Sequence, residues 1–251
     1  MNGKDHPTAA LLIIGNEILS GRTQDVNLNA VAKKLASIGI PLKEVRVVLD
    51  QEDEIVAALN ALRSRFTYVF TTGGIGPTHD DITVDAVAAA FKVDVVEHPE
   101  ARAILTAHYG AEKLTAARLR MARVPEGGTL VGNPVSAAPG IKMDNVYVLA
   151  GVPSIMQAML EGILPTLRQG PRLYSLTVSC FVAESLIAEA LGAIASRFPQ
   201  LDIGSYPWAR EGKFGTSLVT RGADQVAAQQ ASDEILALVR KTDPKAILSA
   251  E

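Results

Sequence analysis

Apolar positions along the first two thirds of the chain alternate between short continuous runs and helical stripes. Residues 8–14 form a continuous apolar run closed by Gly15, as expected of a strand buried on both faces. Leu28, Val31, Leu35 and Ile38, spaced by three, four and three, predict an amphipathic helix that stops at Gly39. Residues 44–49 read as a second strand, and Ile55, Leu59 and Leu62 mark one face of the next helix. Tyr68-Val69-Phe70 begins a third strand, and a helix starting near Ile82 places Val87, Ala90 and Phe91 together. Residues 141–148 read as a hairpin that merges into a strand over 146–150. The helix behind it buries Ile155, Met159 and Ile163, with Ser154 and Gln157 spaced as a capping box. This alternation predicts an α/β fold with three α/β/α layers around a doubly wound, mostly parallel sheet.

Two segments break the rhythm. Residues 93–130 are less regular, with a short strand over 93–96 and helices over 99–109 and 115–123. From Gly170-Pro171 onward the order becomes strand 173–180, helix 183–198, strands 201–206 and 214–220, and helix 223–241. That β-α-β-β-α unit predicts a small α+β domain over 170–251, behind a first domain over 1–169.

Composition narrows the classes of function. In 251 residues, 48% are hydrophobic, enough for a substantial core, and a net charge of −3 gives no general attraction for nucleic acid or anionic lipid. The lone Cys180 cannot form an internal disulfide, its apolar strand makes it a buried small hydrophobe, and a reducing compartment suits it. The first seven residues lack the apolar core of a signal peptide, and no run approaches the length of a membrane span, so a cytoplasmic protein is expected. The histidines His6, His79, His98 and His108 show no metal-ligand spacing. Gly212-Lys213-Phe214-Gly215 matches the clamp of KH domains in letters only, because its flanks read as strands. Residues 171–251 also hold eight Lys/Arg against nine Asp/Glu, which argues against RNA.

The chemistry is expected at Thr71-Thr72-Gly73-Gly74-Ile75-Gly76-Pro77-Thr78-His79-Asp80-Asp81, between a strand and a helix. Three glycines admit a close ligand, and the helix that follows presents its positive end to an anion. Adjacent Asp80 and Asp81 suggest a divalent cation beside that anion. The alternative is a tight turn in which Asp80 or Asp81 caps the helix. The stretch is neither a dinucleotide fingerprint, since His79 stands at the third glycine position, nor a P-loop. Glu17, Asp25 and Asn27 lie after the first strand, and Asp50 ends the second, on the edge where open α/β sheets bind ligands. Loop and cap roles are the alternative for the first three, and Glu52, Asp53 and Glu54 read as a favourable first helical turn. Arg102, His108, Lys113, Arg118, Arg120 and Arg123 either meet a phosphate or form a solvated basic face.

Several stretches together resemble one family. Gly15-Asn16-Glu17-Ile18-Leu19-Ser20-Gly21, Asp25-Val26-Asn27, the 71–81 loop, Asn133-Pro134-Val135, Ala138-Pro139-Gly140 and Gly151-Val152-Pro153-Ser154 occur in the order of the molybdopterin-binding (molybdenum cofactor biosynthesis) domain family. Within it the chain is most similar to the amino-terminal domain of the competence/damage-inducible protein A (CinA) group. Ser136 departs from an expected glycine and Ala150 from an expected proline.

The resemblance implies Asp50 and Asp81 as the acidic catalytic pair. It implies Gly73, Gly74, Gly76, Thr78, Asn27, Ser136 and Gly140 as substrate contacts. Glu17, Asp80 and Asp81 are the expected holders of a divalent Mg, Mn or Co ion. The implied activity is hydrolysis of a nucleotide pyrophosphate such as ADP-ribose, or binding or adenylylation of molybdopterin, with a non-catalytic binding module as a further alternative. The expected partner is a small phosphorylated nucleotide or pterin, with no nucleic acid and no membrane, in a homo-oligomer. Deamidation of nicotinamide mononucleotide is not expected, because the group's larger carboxyl-terminal domain has no counterpart in this sequence.

Overall fold

The computed structural model describes residues 6–210 and 212–250. The chain divides between Gly170 and Pro171 into two compact units.

The first unit runs β1 (Ala9–Ile14), α1 (Asn16–Leu19), α2 (Asn27–Ser37), β2 (Leu42–Val48), α3 (Glu52–Arg63), β3 (Tyr68–Thr72) and α4 (Thr83–Phe91). It continues through β4 (Val95–Glu97), α5 (Pro99–Tyr109), α6 (Ala116–Leu119), β5 (Arg123–Pro125), β6 (Thr129–Val131), β7 (Gly140–Met143), β8 (Val146–Leu149) and α7 (Pro153–Ile163). Six strands form one sheet in the order β2-β1-β3-β8-β7-β6. The first four are parallel, and β7 and β6 add an antiparallel edge. The fold is therefore the mostly parallel α/β sheet that the alternation predicts.

The layers follow from one strand. Every residue of β1 is buried, and alternate side chains go to opposite faces. Ala10, Leu12 and Ile14 join the core beneath α3 and α4, with Leu59, Leu62 and Val87. Ala9, Leu11 and Ile13 join the core beneath α2 and α7, with Val31, Leu35, Phe70 and Met156. A strand with two buried faces has no polar positions to give, which is why it reads as an uninterrupted apolar run.

Four local expectations are corrected. Leu28 is 37% exposed, so the buried face of α2 is carried by Asn27, Val31 and Leu35. The helix expected over 115–123 lasts one turn, capped by the Thr115 side chain, because residues from Arg123 pair with β4 instead. The Ser154–Gln157 capping box is not formed. Pro153 occupies the first helical position of α7, its fixed φ starts the helix, and Val152 becomes the cap residue without a side-chain bond. Neither Asp80 nor Asp81 caps α4, where Ile82 holds that position.

The second unit comprises β9 (Tyr174–Cys180), α8 (Glu184–Arg197), β10 (Asp202–Arg210), β11 (Lys213–Gly222), α9 (Gln225–Arg240) and β12 (Ile247–Ala250). Its antiparallel sheet has the order β10-β11-β9-β12, and Val178, Cys180, Leu191, Leu218 and Ile235 fill its core. Lys213 pairs with Arg210 across the β10–β11 hairpin, so strands flank the Gly212-Lys213-Phe214-Gly215 stretch. β12 has no counterpart in the sequence reading: four residues at a sheet edge carry too little pattern. No helix among the described residues is long and apolar enough to cross a membrane.

Leu12 is fully buried between sheet and helices, so Leu12→Ala removes packed methyl groups where little can collapse. We expect a loss of about 2–5 kcal/mol in urea unfolding of the first unit. A loss below about 1 kcal/mol would show that β1 is not the centre of that core.

Candidate functional site

The carboxyl ends of the parallel strands define one edge of the sheet, and the loops that leave them enclose a cavity of about 450 Å³. Its lining brings together Glu17 after β1, Asp50 after β2, and Gly73, Gly74, Gly76, Asp80 and Asp81 after β3. Ser136, between β6 and β7, faces them, as do Ala150 and Gly151 after β8. Residues far apart in the chain thus meet where the alternation of strands and helices places the loops.

Glycine is required at the turn for steric reasons. Gly73 has φ +104°, and a Cβ there would lie 2.1 Å from the Ile14 carbonyl oxygen. Gly74 has φ +66°, and its Cβ would lie 2.2 Å from the Thr83 hydroxyl. That hydroxyl donates to the Gly73 carbonyl at 2.9 Å, and the Thr83 amide donates to the Gly74 carbonyl at 3.0 Å. The first amide of α4 is therefore used within the loop, and the helix end offers less to an anion than its position suggests. The Gly73 amide is also engaged, donating to the Leu149 carbonyl in the sheet at 3.2 Å.

The aspartates brace the loop that carries them. Asp81 Oδ2 accepts from the Thr78 amide at 2.8 Å and lies 2.5 Å from the Thr78 hydroxyl, which also stands 2.6 Å from Asp80 Oδ1. A hydroxyl carries one hydrogen, so it cannot donate to both carboxylates at once. The Thr78 hydroxyl, then the Asp80 amide and the His79 charge, hold the Asp80 carboxyl below the usual aspartate range. Thr78 itself does not line the cavity; it positions two residues that do. Asp50 is tied to the first loop, its Oδ2 accepting from the Asn16 amide at 2.8 Å while its own amide donates to Asn16 Oδ1 at 3.3 Å.

Other expected residues take different places. Asp25, one residue before the cap position of α2, accepts from the Leu28 amide at 2.8 Å. Asn27 is buried beside the cavity and donates to the Gly151 carbonyl at 2.8 Å. Gly140 opens β7 outside the lining, where a Cβ would press on the Val148 carbonyl. The basic residues of 102–123 are mostly engaged locally. Arg102 pairs with Glu97, Arg123 pairs with Asp85, and Arg118 donates to the Lys113 carbonyl. Arg120 reaches the loop from behind, donating to the Asp81 carbonyl at 3.4 Å.

Asn133 lies in a motif that marked the residue without showing its task in the loop. Its side chain accepts from the Val135 and Ser136 amides and donates to Ser136 Oγ and the Ala138 carbonyl, so one residue shapes the loop that presents Ser136. Met121 also lines the cavity, from the irregular segment where periodicity carries no information.

Electrostatics sets the character of the site. Four carboxylates line the cavity, from Glu17, Asp50, Asp80 and Asp81, and among the described residues no Lys or Arg does. Nor do any three His, Cys, Asp or Glu side chains among the described residues stand together as a metal cage. The donor set does fit a hard cation bound by one or two carboxylates and completed by ligand oxygens and water.

An α/β sheet with a glycine-loop cavity at its carboxyl edge defines a ligand-binding domain of the doubly wound class. The chain belongs to the family described as a probable molybdopterin binding domain, whose profile matches residues 10–169. A second profile, described as the middle domain of FAD synthase, matches residues 172–245. A protein of Caldivirga maquilingensis is 36% identical over 203 residues, covering 78% of each chain. A CinA-like protein of Desulfosudis oleivorans is 32% identical over 254 residues, covering 96% of this chain but 61% of its own length. The crystal structure of a CinA protein from Thermoplasma acidophilum, described as of unknown function, superposes with a TM-score of 0.61 at 34% identity. The match covers 64% of this chain and 98% of that one.

Two outcomes check the loop. Gly73→Ala should destabilise the first unit by at least about 2 kcal/mol in denaturant unfolding, since both φ and the Ile14 oxygen oppose a Cβ; a neutral substitution would contradict the close approach. Thr78→Val should raise the Asp80 pKa toward the usual aspartate value in an NMR titration of the carboxyl carbon. The folded-state value is depressed, so the stabilisation is present at neutral pH and lost as pH falls through the carboxylate range. An unmoved titration would show that the hydroxyl is not its cause.

Proposed function

We propose that the first unit is a divalent-metal-dependent nucleotide pyrophosphatase acting on ADP-ribose-like substrates. The observation that carries this reading is the pairing of a glycine-lined cavity with four carboxylates and, among the described residues, no basic side chain. A diphosphate placed there alone meets like charge on every side, and a divalent cation turns the same carboxylates from an obstacle into a seat.

The residues take separate tasks. The amides of Gly74, Ile75 and Gly76 are those that remain for the phosphate oxygens, since the Gly73 amide is held by the sheet and the Thr78 amide by Asp81. Asp80 and Asp81 would hold the ion, with ligand oxygens and water completing its shell and Glu17 adding negative charge from the same lining; the ion would neutralise phosphate charge and make a bound water more acidic. Asp50, held by Asn16, accepts the proton of the attacking water. The water oxygen bonds to one phosphorus, the bridging P–O bond breaks, and ADP-ribose yields AMP and ribose 5-phosphate. Ile14, Ile75, Met121 and Ile155 supply an apolar wall for a base or other flat ring.

A second reading follows from the family's description and the same apolar wall: the cavity holds the pterin of molybdopterin and presents it to another protein or adenylylates it. The two readings separate on turnover. With Mg²⁺, Mn²⁺ or Co²⁺, the purified chain should release AMP from ADP-ribose. Asp81→Asn and Asp50→Asn should each lower kcat by about 10²-fold or more, with substrate binding retained in Asp50→Asn. The amide oxygen introduced by Asp81→Asn can still accept from the Thr78 amide, so the loop is expected to survive the change. Saturable pterin binding with no AMP release in any metal would favour the second reading.

A further inference from the structure

A smaller cavity of about 100 Å³ adjoins the main one and shares Ile14, Glu17, Gly73 and Gly151 with it. Gly151 stands so close to Gly73 that its Cβ would lie 3.3 Å from the Gly73 Cα, which marks these two loops as the ridge between the cavities. Two residues of the side cavity are polar and almost wholly buried: Asn27 at 5% exposure and Thr72 at 1%. Among the described residues, neither Asn27 Oδ1 nor Thr72 Oγ1, both buried, has a hydrogen-bond partner. Asn27 sits in the first turn of α2 and Thr72 at the end of β3, so separate elements bring the two residues to the lining of one small space.

Their chemistry restricts what belongs there. The Asn27 amide nitrogen is held by the Gly151 carbonyl, which orients the side chain and leaves Oδ1 as an acceptor only. The Thr72 hydroxyl both donates and accepts. Asp25, in the same lining, is engaged by the Leu28 amide. A fully ionised phosphate has no hydrogen for Asn27 Oδ1 and is repelled by Glu17, whereas an alcohol donates to Asn27 and accepts from Thr72 in one group. Buried polar groups without partners are costly, and a ligand that completes them gains specificity over one that cannot.

We propose that the side cavity is a hydroxyl-recognition subsite that takes the sugar of a ligand whose phosphate lies in the main cavity. The proposal rests on the reading of the main cavity as a phosphate site. It divides the work between the two spaces: charge is read at the carboxylates, and sugar at Asn27 and Thr72.

The test compares ribose 5-phosphate with inorganic phosphate by titration calorimetry of the full chain in Mg²⁺. The expected result is ribose 5-phosphate binding at least about tenfold tighter, as one or two added hydrogen bonds imply. Thr72→Val keeps the shape and removes the hydroxyl, and should shrink that ratio below about threefold without lowering the melting temperature. Thr72→Ser, which keeps a hydroxyl, should retain most of the ratio. Equal affinities for the two ligands, or a ratio untouched by Thr72→Val, overturn the subsite while leaving the phosphate reading intact. A lowered melting temperature with an unchanged ratio assigns the two oxygens to buried water only and overturns it as well. Absence of binding by either ligand removes the phosphate reading and the subsite together.

Discussion

Charge repulsion governs this site more than any single contact. Glu17, Asp50, Asp80 and Asp81 stand around a cavity shaped by glycines for close approach, and no basic side chain among the described residues shares the lining. Arg120 touches the loop only through the Asp81 carbonyl, so it steadies the backbone more than it offsets the carboxylates. On the proposed reading, an anionic ligand binds far better when it brings its own counter-charge. The single hydrogen of the Thr78 hydroxyl between two carboxylates expresses the same surplus on a smaller scale.

The scaffold exists to hold these charges in place. β1 packs a core on each face, and its last residue ends beneath the loop whose glycine approaches the Ile14 carbonyl. Thr83 ties α4 back to Gly73 and Gly74, Asn16 ties the start of α1 to Asp50, and Asn133 shapes the opposite wall. Each tie uses a polar group that would otherwise be free to meet a ligand. The backbone amides and carboxylates that remain are few, which makes their positions informative.

Much of this was legible from residue order. Continuous apolar runs located β1 and β3, stripes of period 3.6 located α2, α3 and α4, and the glycines marked the ligand edge. The rest depended on contacts between distant residues, which periodicity does not encode. Leu28 fitted the helical stripe but lies on the exposed side. Ser154 matched a cap by spacing, yet Pro153 had already started the helix. Asp80 and Asp81 suggested a cap or a metal pair; the structure gives the cap position to Ile82 and has both carboxylates brace the loop through Thr78. Met121 had no local signal, and Thr72 lay in the glycine stretch without a role of its own, since each acquires its place only when other loops close around it.

The most direct measurement is the affinity for ADP-ribose with Mg²⁺ and with EDTA, at matched ionic strength, by titration calorimetry of the intact chain. Four carboxylates without a described basic partner in the lining require that binding be strong with the metal and weaker by at least about a hundredfold without it. Equal affinity in both conditions would mean that the cavity accepts a diphosphate without a counter-ion, and the electrostatic account of the site would be wrong.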